Sequence, residues 1–497
     1  MKYDVIIIGS GLGGLVCGYI LSKNGYKVTV LEKNNQIGGC LQTFKRKGCT
    51  FDTGMHYIGS MDEGQVLHRF FKYLNLLGDV PLSRLDTNGY DTISIQGENY
   101  RYASGYENFI ASLAEKFPNN VKDIELYVKK IKDIAAASPL YNLQEINNLV
   151  YIEADYIKTS INDFVASCTD NYRLQNVLTG NLPLYAGVKD KTPIYIHALI
   201  NNFYIQSAYR IVGGGDSIAF SLANSIRSFG GEVRTHAQVD EIVCNETGAT
   251  SVKLANGQVL ESKFFISNIH PQATLAKITS PLIRKSYRSR INELENTISN
   301  FTLYIKFKKD SVPYLNSNYF HYENEDVWQN VTYDSKKWPE SFLYMHQCVS
   351  EQTQFAESAV LIAYMHYDEV KQWEDTDIER RGDDYLAFKE AKKQQILNKL
   401  EKVFPGINQN IEECYTSSPL TYRDYTGTVE GSMYGVIRDK NAPHQTLISQ
   451  RTKIPNLLMT GQNINSHGIL GVTIGAMITC AELLGINHII KQIDKAN

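Results

Sequence analysis

The run Val5–Ile8 followed by Gly9-Ser10-Gly11-Leu12-Gly13-Gly14 constrains this chain more than any other feature. A short β-branched strand ends in a turn that only glycines make comfortably, and Leu15 to Ser22 continues at once as a helix. In such a G-x-G-x-x-G pattern the first glycine permits the tight turn and the second lets a pyrophosphate approach the backbone. The third lets the helix pack closely on the strand. Free N–H groups and the positive dipole end of the helix then face the phosphates. Lys27 to Glu32 returns as a parallel strand, closing a βαβ unit. Glu32 at its end is placed to accept both hydroxyls of a ribose and to repel a 2′-phosphate.

This motif alone allows NAD as readily as FAD, and its extension favours FAD. Ile37-Gly38-Gly39 and Phe51-Asp52-Thr53-Gly54 stand where flavoproteins of the glutathione-reductase type run a second glycine turn beside the cofactor. Only one full fingerprint is present, which argues against a dedicated NAD(P) domain. Gly213-Gly214-Gly215 precedes the helical stretch Ser217–Ser228, but the sequence offers neither a preceding strand nor a well-placed acidic partner. A loop leading into a helix and a flavin-lining role are equal readings there. Ile454–Thr460 reads as a buried strand, and Gly468 to Gly475 opens an apolar helix whose N-terminus faces the N1–C2 edge of the flavin. The expected cofactor contacts are therefore Gly9, Gly11, Leu12, Gly13, Gly14, Glu32 and Lys33, then Gly38, Gly39 and Gly54. Val239, Gly461, Asn463, Gly471 and Val472 complete the set.

The expected fold class is α/β: an FAD-binding Rossmann-like domain interleaved with a mixed-sheet and helical substrate domain. The cofactor domain is assigned residues 1–70, 205–285 and 415–497, and the substrate domain 71–204 and 286–414. Residues 105–200 read as mostly helical, with Tyr106–Phe117 and Lys122–Ala136 amphipathic. From Glu232 to Leu260 short strands alternate around an Asn256-Gly257 hairpin turn, and Tyr385–Phe404 reads as a charged surface helix.

Length and composition set limits. With 497 residues and 43% hydrophobic content the chain can bury a large core over two or three domains. A net charge of −3 without single-sign blocks gives no reason to expect a nucleic-acid partner. The eight cysteines form no CxxC pair and suit neither a zinc site nor a disulfide framework, and His321 and His366-Tyr367-Asp368 lack ligand spacing, so no metal is expected. The first strand begins at Tyr3 and leaves no room for a leader, and Ile469–Ile486 is broken by Thr473, Thr479 and Glu482. The expectation is a cytoplasmic protein, with peripheral membrane contact.

The segment from Gly38-Gly39-Cys40 through Phe51-Asp52-Thr53-Gly54-Met55-His56-Tyr57-Ile58-Gly59 resembles the retinol saturases and the wider family of phytoene desaturases and carotenoid isomerases. So do Tyr204–Tyr209 with Ile218–Phe220, Ser418–Thr421 with Gly431–Gly435, and the Thr460-Gly461-Gln462 turn. The resemblance implies a flavin enzyme acting on carbon–carbon double bonds of long conjugated or isoprenoid molecules, with a separate electron donor or acceptor. Three departures stand out: Asn463 where the family carries an aspartate, Cys40 where many relatives carry an arginine, and Val212 where retinol saturases carry an arginine.

Hydride chemistry at a double bond needs a proton donor or acceptor, and His56, Tyr57 and His467 are the candidates. Among 32 tyrosines, Tyr185, Tyr204 and Tyr209 are expected to line an apolar pocket. The leading expectation is saturation of one double bond of a polyene or isoprenoid lipid. Desaturation or cis–trans isomerisation of a carotenoid, amine-oxidase-like chemistry and a non-catalytic FAD-binding role are the alternatives. A water-insoluble substrate also predicts an exposed apolar patch in the region 105–200.

Overall fold

The strand Lys2–Ile8 is β-branched from Val5 onward and lies at the centre of a seven-stranded sheet, where both faces must be covered. Val28–Leu31 and Glu232–Arg234 follow on one side, each parallel to its neighbour. On the other side runs the long strand Val259–Ser267, whose C-terminal half pairs in parallel with Leu457–Met459. Its N-terminal half pairs antiparallel with Ala249–Leu254, which pairs in turn with Val239–Cys244. The computed structural model describes residues 2–146, 154–350 and 352–497.

Two helices cover one face of this sheet. Leu12–Lys23 and the apolar Gly468–Leu484 pack directly together, with the Cys480 thiol against the Cys17 carbonyl and the Cys17 thiol against Ala476. The opposite face is filled by Ile6, Ile8, Val239, Leu254 and Leu457 with Leu275 and Ile291 from two short helices.

The second large sheet is mixed. Its strands run in the order Ile411–Ser417, Ser299–Phe307, Ser358–Met365, Ser341–His346, Asn318–Tyr322, Asp91–Ile95 and Glu98–Tyr102. Only Asn318–Tyr322 and Asp91–Ile95 are parallel neighbours. The strand Ile411–Ser417 stays paired with Ser299–Phe307 as far as Ser417. Helices from Tyr106–Ala114 to Ile194–Gln206 form a third body packed on the Glu98–Tyr102 edge.

A three-stranded sheet joins these bodies, with Ala208–Ile211 between Ile58–Gly59 and Leu82–Arg84. The sequence pattern missed Ala208–Ile211 because its residues do not alternate in polarity, yet the strand leads straight into Gly213-Gly214-Gly215. That strand belongs to the small sheet and not to the nucleotide sheet, so the glycine run is still no second fingerprint.

The third-glycine position shows how tightly the first unit is built. A Cβ on Gly14 would lie 2.1 Å from the Gly9 carbonyl oxygen, a backbone atom that cannot step aside. Gly14→Ala is expected to cost about 1–3 kcal/mol or to prevent folding. Urea unfolding of the variant beside wild type measures this.

A candidate flavin site lined by glycines and aromatics

Three parallel strands end at one place: Lys2–Ile8 at Gly9, Val259–Ser267 at Asn268, and Leu457–Met459 at Gly461. Asn268 is the hub there. Its backbone N–H donates to the Ile8 carbonyl at 2.8 Å, and its side-chain amide reaches the Gly9 carbonyl at 3.4 Å. A Cβ on Gly13 or Gly461 would stand 2.6 or 2.7 Å from Asn268 Oδ1. The sequence reading missed Asn268, although an asparagine closing a strand just before a helix is a signal of the same kind as Glu32.

The second glycine turn docks on the first. Gly38 has φ of 111° and Gly39 of 57°, both in the left-handed region, and the Gly38 N–H donates to the Ser10 carbonyl at 3.1 Å. A Cβ on Gly39 would lie 3.1 Å from Gly11 Cα. Leu12 opens the helix at this turn, so Gly9, Gly11, Leu12, Gly13, Gly14, Gly38 and Gly39 line one cradle. Glu32 sits at its far end, buried at 6% exposure. One carboxylate oxygen accepts from the Ser10 N–H at 3.1 Å and from its hydroxyl at 2.6 Å, and the other from the Asn34 N–H at 2.9 Å. The Glu32 carbonyl also accepts from the Ala237 N–H at 2.7 Å, which brings the chain toward Val239. Lys33 turns outward and donates to the Asp424 carbonyl at 2.8 Å.

The opposite wall is the first turn of Gly468–Leu484. Gly468 is exposed and Gly471 and Val472 are half-buried, while the rest of the helix is largely covered. Gly471 is needed for packing within this wall, since a Cβ there would meet Ser466 at 2.7 Å. Asn463 is buried, and its Oδ1 accepts from the Val436 N–H at 3.0 Å while Gly435 packs against it. The amide that replaces the family's aspartate is thus tied to a neighbouring loop.

Asp52 sits between the cradle and Gly213-Gly214-Gly215. It accepts from the Gly215 N–H at 2.8 Å and so caps the loop that leads into the following helix. Gly54 abuts Cys40, with only 3.0 Å to a would-be Cβ. Burial, reinforced by Asp216, pushes the Asp52 carboxyl up to about 7, against the pull of the Gly215 N–H and Arg210.

Aromatic side chains form a wall at the start of this helix, where His467 is the N-cap residue. The His467 ring lies 4.6 Å from Tyr434, the His56 ring 5.1 Å from Tyr57, and Tyr57 only 4.4 Å from Tyr204. His467 Nε2 is buried without a hydrogen-bond partner. Burial, with Arg210 in support, lowers His56 to about 4, and burial with Arg438 and His56 lowers His467 to about 3. Both imidazoles are neutral near pH 7. The Tyr57 N–H donates to His56 Nδ1 at 2.9 Å, which leaves the His56 proton on Nε2.

Of the three predicted pocket tyrosines, Tyr204 joins this wall. Tyr185 is buried in the helical body, with its hydroxyl 2.8 Å from His197 Nδ1. Tyr209 points the other way along its strand and donates to Asp62 at 2.6 Å beside Arg84. Strand alternation explains this: Tyr209 faces outward and its neighbour Arg210 faces inward. The anticipated apolar patch in 105–200 reduces, among the described residues, to exposed Leu126 and Tyr172 on separate helices. Residues 147–153 of that region lie outside the described residues. No helix among the described residues is long and apolar enough to cross a membrane.

Fold and site together define an oxidoreductase of the Rossmann flavin type. Residues 7–74 match the family model of the NAD(P)-binding Rossmann-like domain. An oxidoreductase from Methanosarcina mazei shares the fold, with a TM-score of 0.65 at 16% identity, over 96% of this chain and 99% of the other. The sequence is 28% identical to the all-trans-retinol 13,14-reductase of Rattus norvegicus over 98% of this chain and 86% of the relative. It is 25% identical to the chloroplastic prolycopene isomerase of Daucus carota over 87% and 72% of the two chains. The chain is thus similar along nearly its whole length to the retinol 13,14-reductases, and over most of it to a carotenoid isomerase.

The raised carboxyl of Asp52 has a consequence for stability. The folded chain keeps a proton that the unfolded chain gives up near the ordinary value of 3.8, so this contribution is full below that value and is lost as pH rises through about 7. In urea titrations, wild type is expected to lose stability relative to Asp52→Asn between about pH 4 and about pH 7. An unchanged difference across that window would show that Asp52 is already ionised in the folded protein.

Proposed function

We propose that this chain is an FAD-dependent reductase that saturates one carbon–carbon double bond of a polyene or isoprenoid lipid. The observation that carries the reading is similarity to all-trans-retinol 13,14-reductases along 98% of the chain, which includes the glycine cradle and the aromatic wall alike. The cradle suits FAD: Gly9, Gly11, Gly13, Gly39 and Gly461 leave backbone bare where a diphosphate would lie, and Glu32 is buried where a ribose would end. Lys33, Gly54 and Val239 flank the adenosine and flavin ends of that path, while Asn463, Gly471 and Val472 border it on the far side. Bound FAD supplies two-electron hydride chemistry at its isoalloxazine ring.

The protein's own contribution is a dry, apolar wall and a fixed proton inventory. His56, with its proton on Nε2, and His467, with an unpartnered Nε2, orient the groups in front of them as neutral imidazoles. Tyr57, Tyr204 and Tyr434 bury the ring surface expected to receive a flat conjugated chain. Reducing equivalents come from a separate donor, and a substrate drawn from a bilayer implies contact with a membrane surface.

Similarity to prolycopene isomerase favours a second reading, isomerisation in the same pocket. Anaerobic incubation of the holoprotein with dithionite-reduced FAD and a panel including all-trans-retinol and a poly-cis carotene separates the two. A product heavier by two hydrogens with oxidised flavin is expected. A product of unchanged mass and altered geometry supports the isomerase, and no change with any polyene rejects both.

Glu32→Ala is expected to weaken FAD binding by about 1.5–3 kcal/mol, the worth of hydrogen bonds to a charged acceptor. Fluorescence titration of the apoprotein measures it; unchanged affinity would remove Glu32 from the FAD site.

A further inference from the structure

Away from the cradle, cations gather where the chain does little to neutralise them. A pocket of about 700 Å³ opens between residues 282–290 and 449–453, and Arg284, Arg290, Arg451 and Lys453 all line it. No carboxylate is among its lining residues, although the chain as a whole carries a net charge of −3. The helix Lys285–Asn292 forms one side and packs through Ile291 on the sheet face opposite Leu12–Lys23. No residue of the glycine cradle lines this pocket.

The cations are held in place by contacts that leave their charge unspent. The Arg290 guanidinium and the Lys453 ammonium lie 5.3 and 5.8 Å from the centroid of the Tyr287 ring. An Arg290 N–H also donates to the Gln445 carbonyl at 2.9 Å. Arg451 is bridged to Leu458 of the neighbouring strand and pairs with Glu482 at 2.6 Å. Among the described residues Glu482 is the only carboxylate that pairs with any of the four, and Arg284 and Lys453 face the pocket without an ion pair. The Ser449 hydroxyl accepts from the Arg451 N–H at 3.1 Å, which leaves its own proton to donate.

This placement of charge is unfavourable as it stands. Arg284 is the N-cap and Lys285 the first residue of a helix whose first turn holds no acid, and the positive end of a helix dipole repels cations. Like charges around one concavity repel each other as well, and the surrounding protein concentrates their field. An anion in the pocket relieves both. The planar donor fork of arginine matches phosphate oxygens, and a lysine adds a point charge. The Tyr287 ring is already engaged by two cations, so recognition there runs through charge and hydrogen-bond donors.

We propose that this pocket is a binding site for a phosphate group, separate from the cradle and independent of the reaction carried out there. Arg284, Arg290 and Lys453 take the phosphate oxygens, the Ser449 hydroxyl adds a neutral donor, and Arg451 stays at the rim beside Glu482. Two sources carry this chemistry: the headgroup of an anionic lipid surface and a soluble polyphosphate. Both bring the phosphate to the same residues.

The test uses the FAD-loaded protein, whose cradle is filled, in two arms. Calorimetric titration with pyrophosphate reads the soluble source. Flotation with vesicles of phosphatidylcholine alone, or of phosphatidylcholine mixed with phosphatidylglycerol, reads the lipid source. Binding is expected in one arm, to the mixed vesicles and not the neutral ones if lipid is the source, and it should weaken as salt is raised. The double variant Arg284→Gln, Lys453→Gln is expected to lose about tenfold or more in the arm that binds. Both side chains are exposed, so its thermal unfolding without ligand and its flavin content should match wild type. The charge-keeping pair Arg284→Lys, Lys453→Arg should retain binding. No binding in either arm overturns the proposal, as does equal binding by wild type and the glutamine variant. Binding of a polyglutamate peptide in place of both phosphate probes would overturn it too, since it would mark an acidic protein partner.

Discussion

Everything that binds in this molecule depends on how closely three strand ends approach one another around Asn268. The amide reaches the Gly9 carbonyl, and its oxygen lies against Gly13 and Gly461 at distances that admit no side chain. Because Gly14 also lies hard against the Gly9 carbonyl, the first helix must leave the sheet at one angle, and its N-terminus must open toward the cradle. The second glycine turn docks on Gly11 and Ser10, and its partner segment delivers Asp52, His56 and Tyr57 to the junction with the second sheet. A side chain at any of these glycines would shift several parts of the site together.

The second theme is charge in a dry interior. Asp52, Asp91, His56 and His467 are all displaced toward their neutral forms, and burial is the leading cause in every case. Arg210 offsets part of this: its field draws both carboxyls back toward ionisation while driving His56 further from it. The carboxyls and imidazoles around the wall are therefore pushed toward their uncharged forms, which suits an apolar conjugated substrate.

Much of this was legible in the chain itself. Local rules gave the βαβ unit, the second glycine turn and the apolar helix near the C-terminus, because glycine placement and strand–helix periodicity act over a few residues and do not need the rest of the protein. Glu32 was legible for the same reason, since its position follows from the length of one βαβ unit. The strand Ala208–Ile211 escaped notice because its residues carry no alternation, and its partners, Ile58–Gly59 and Leu82–Arg84, are themselves very short. Tyr209 was placed in the pocket for want of a register, and one step along the strand reverses the direction of the side chain.

The sequence by itself determined the nucleotide-type core, since this rests on short-range steric requirements that leave a fixed spacing of residues. Tertiary structure alone decided which side chains meet. Asn268 enters the glycine cradle, Asp52 caps the loop at Gly215, and Asp91 lies behind Tyr57, each across long stretches of chain. It also decided their charge, because a carboxyl or imidazole titrates according to the solvent and ions around it, and those are fixed only when the two sheets close on one another.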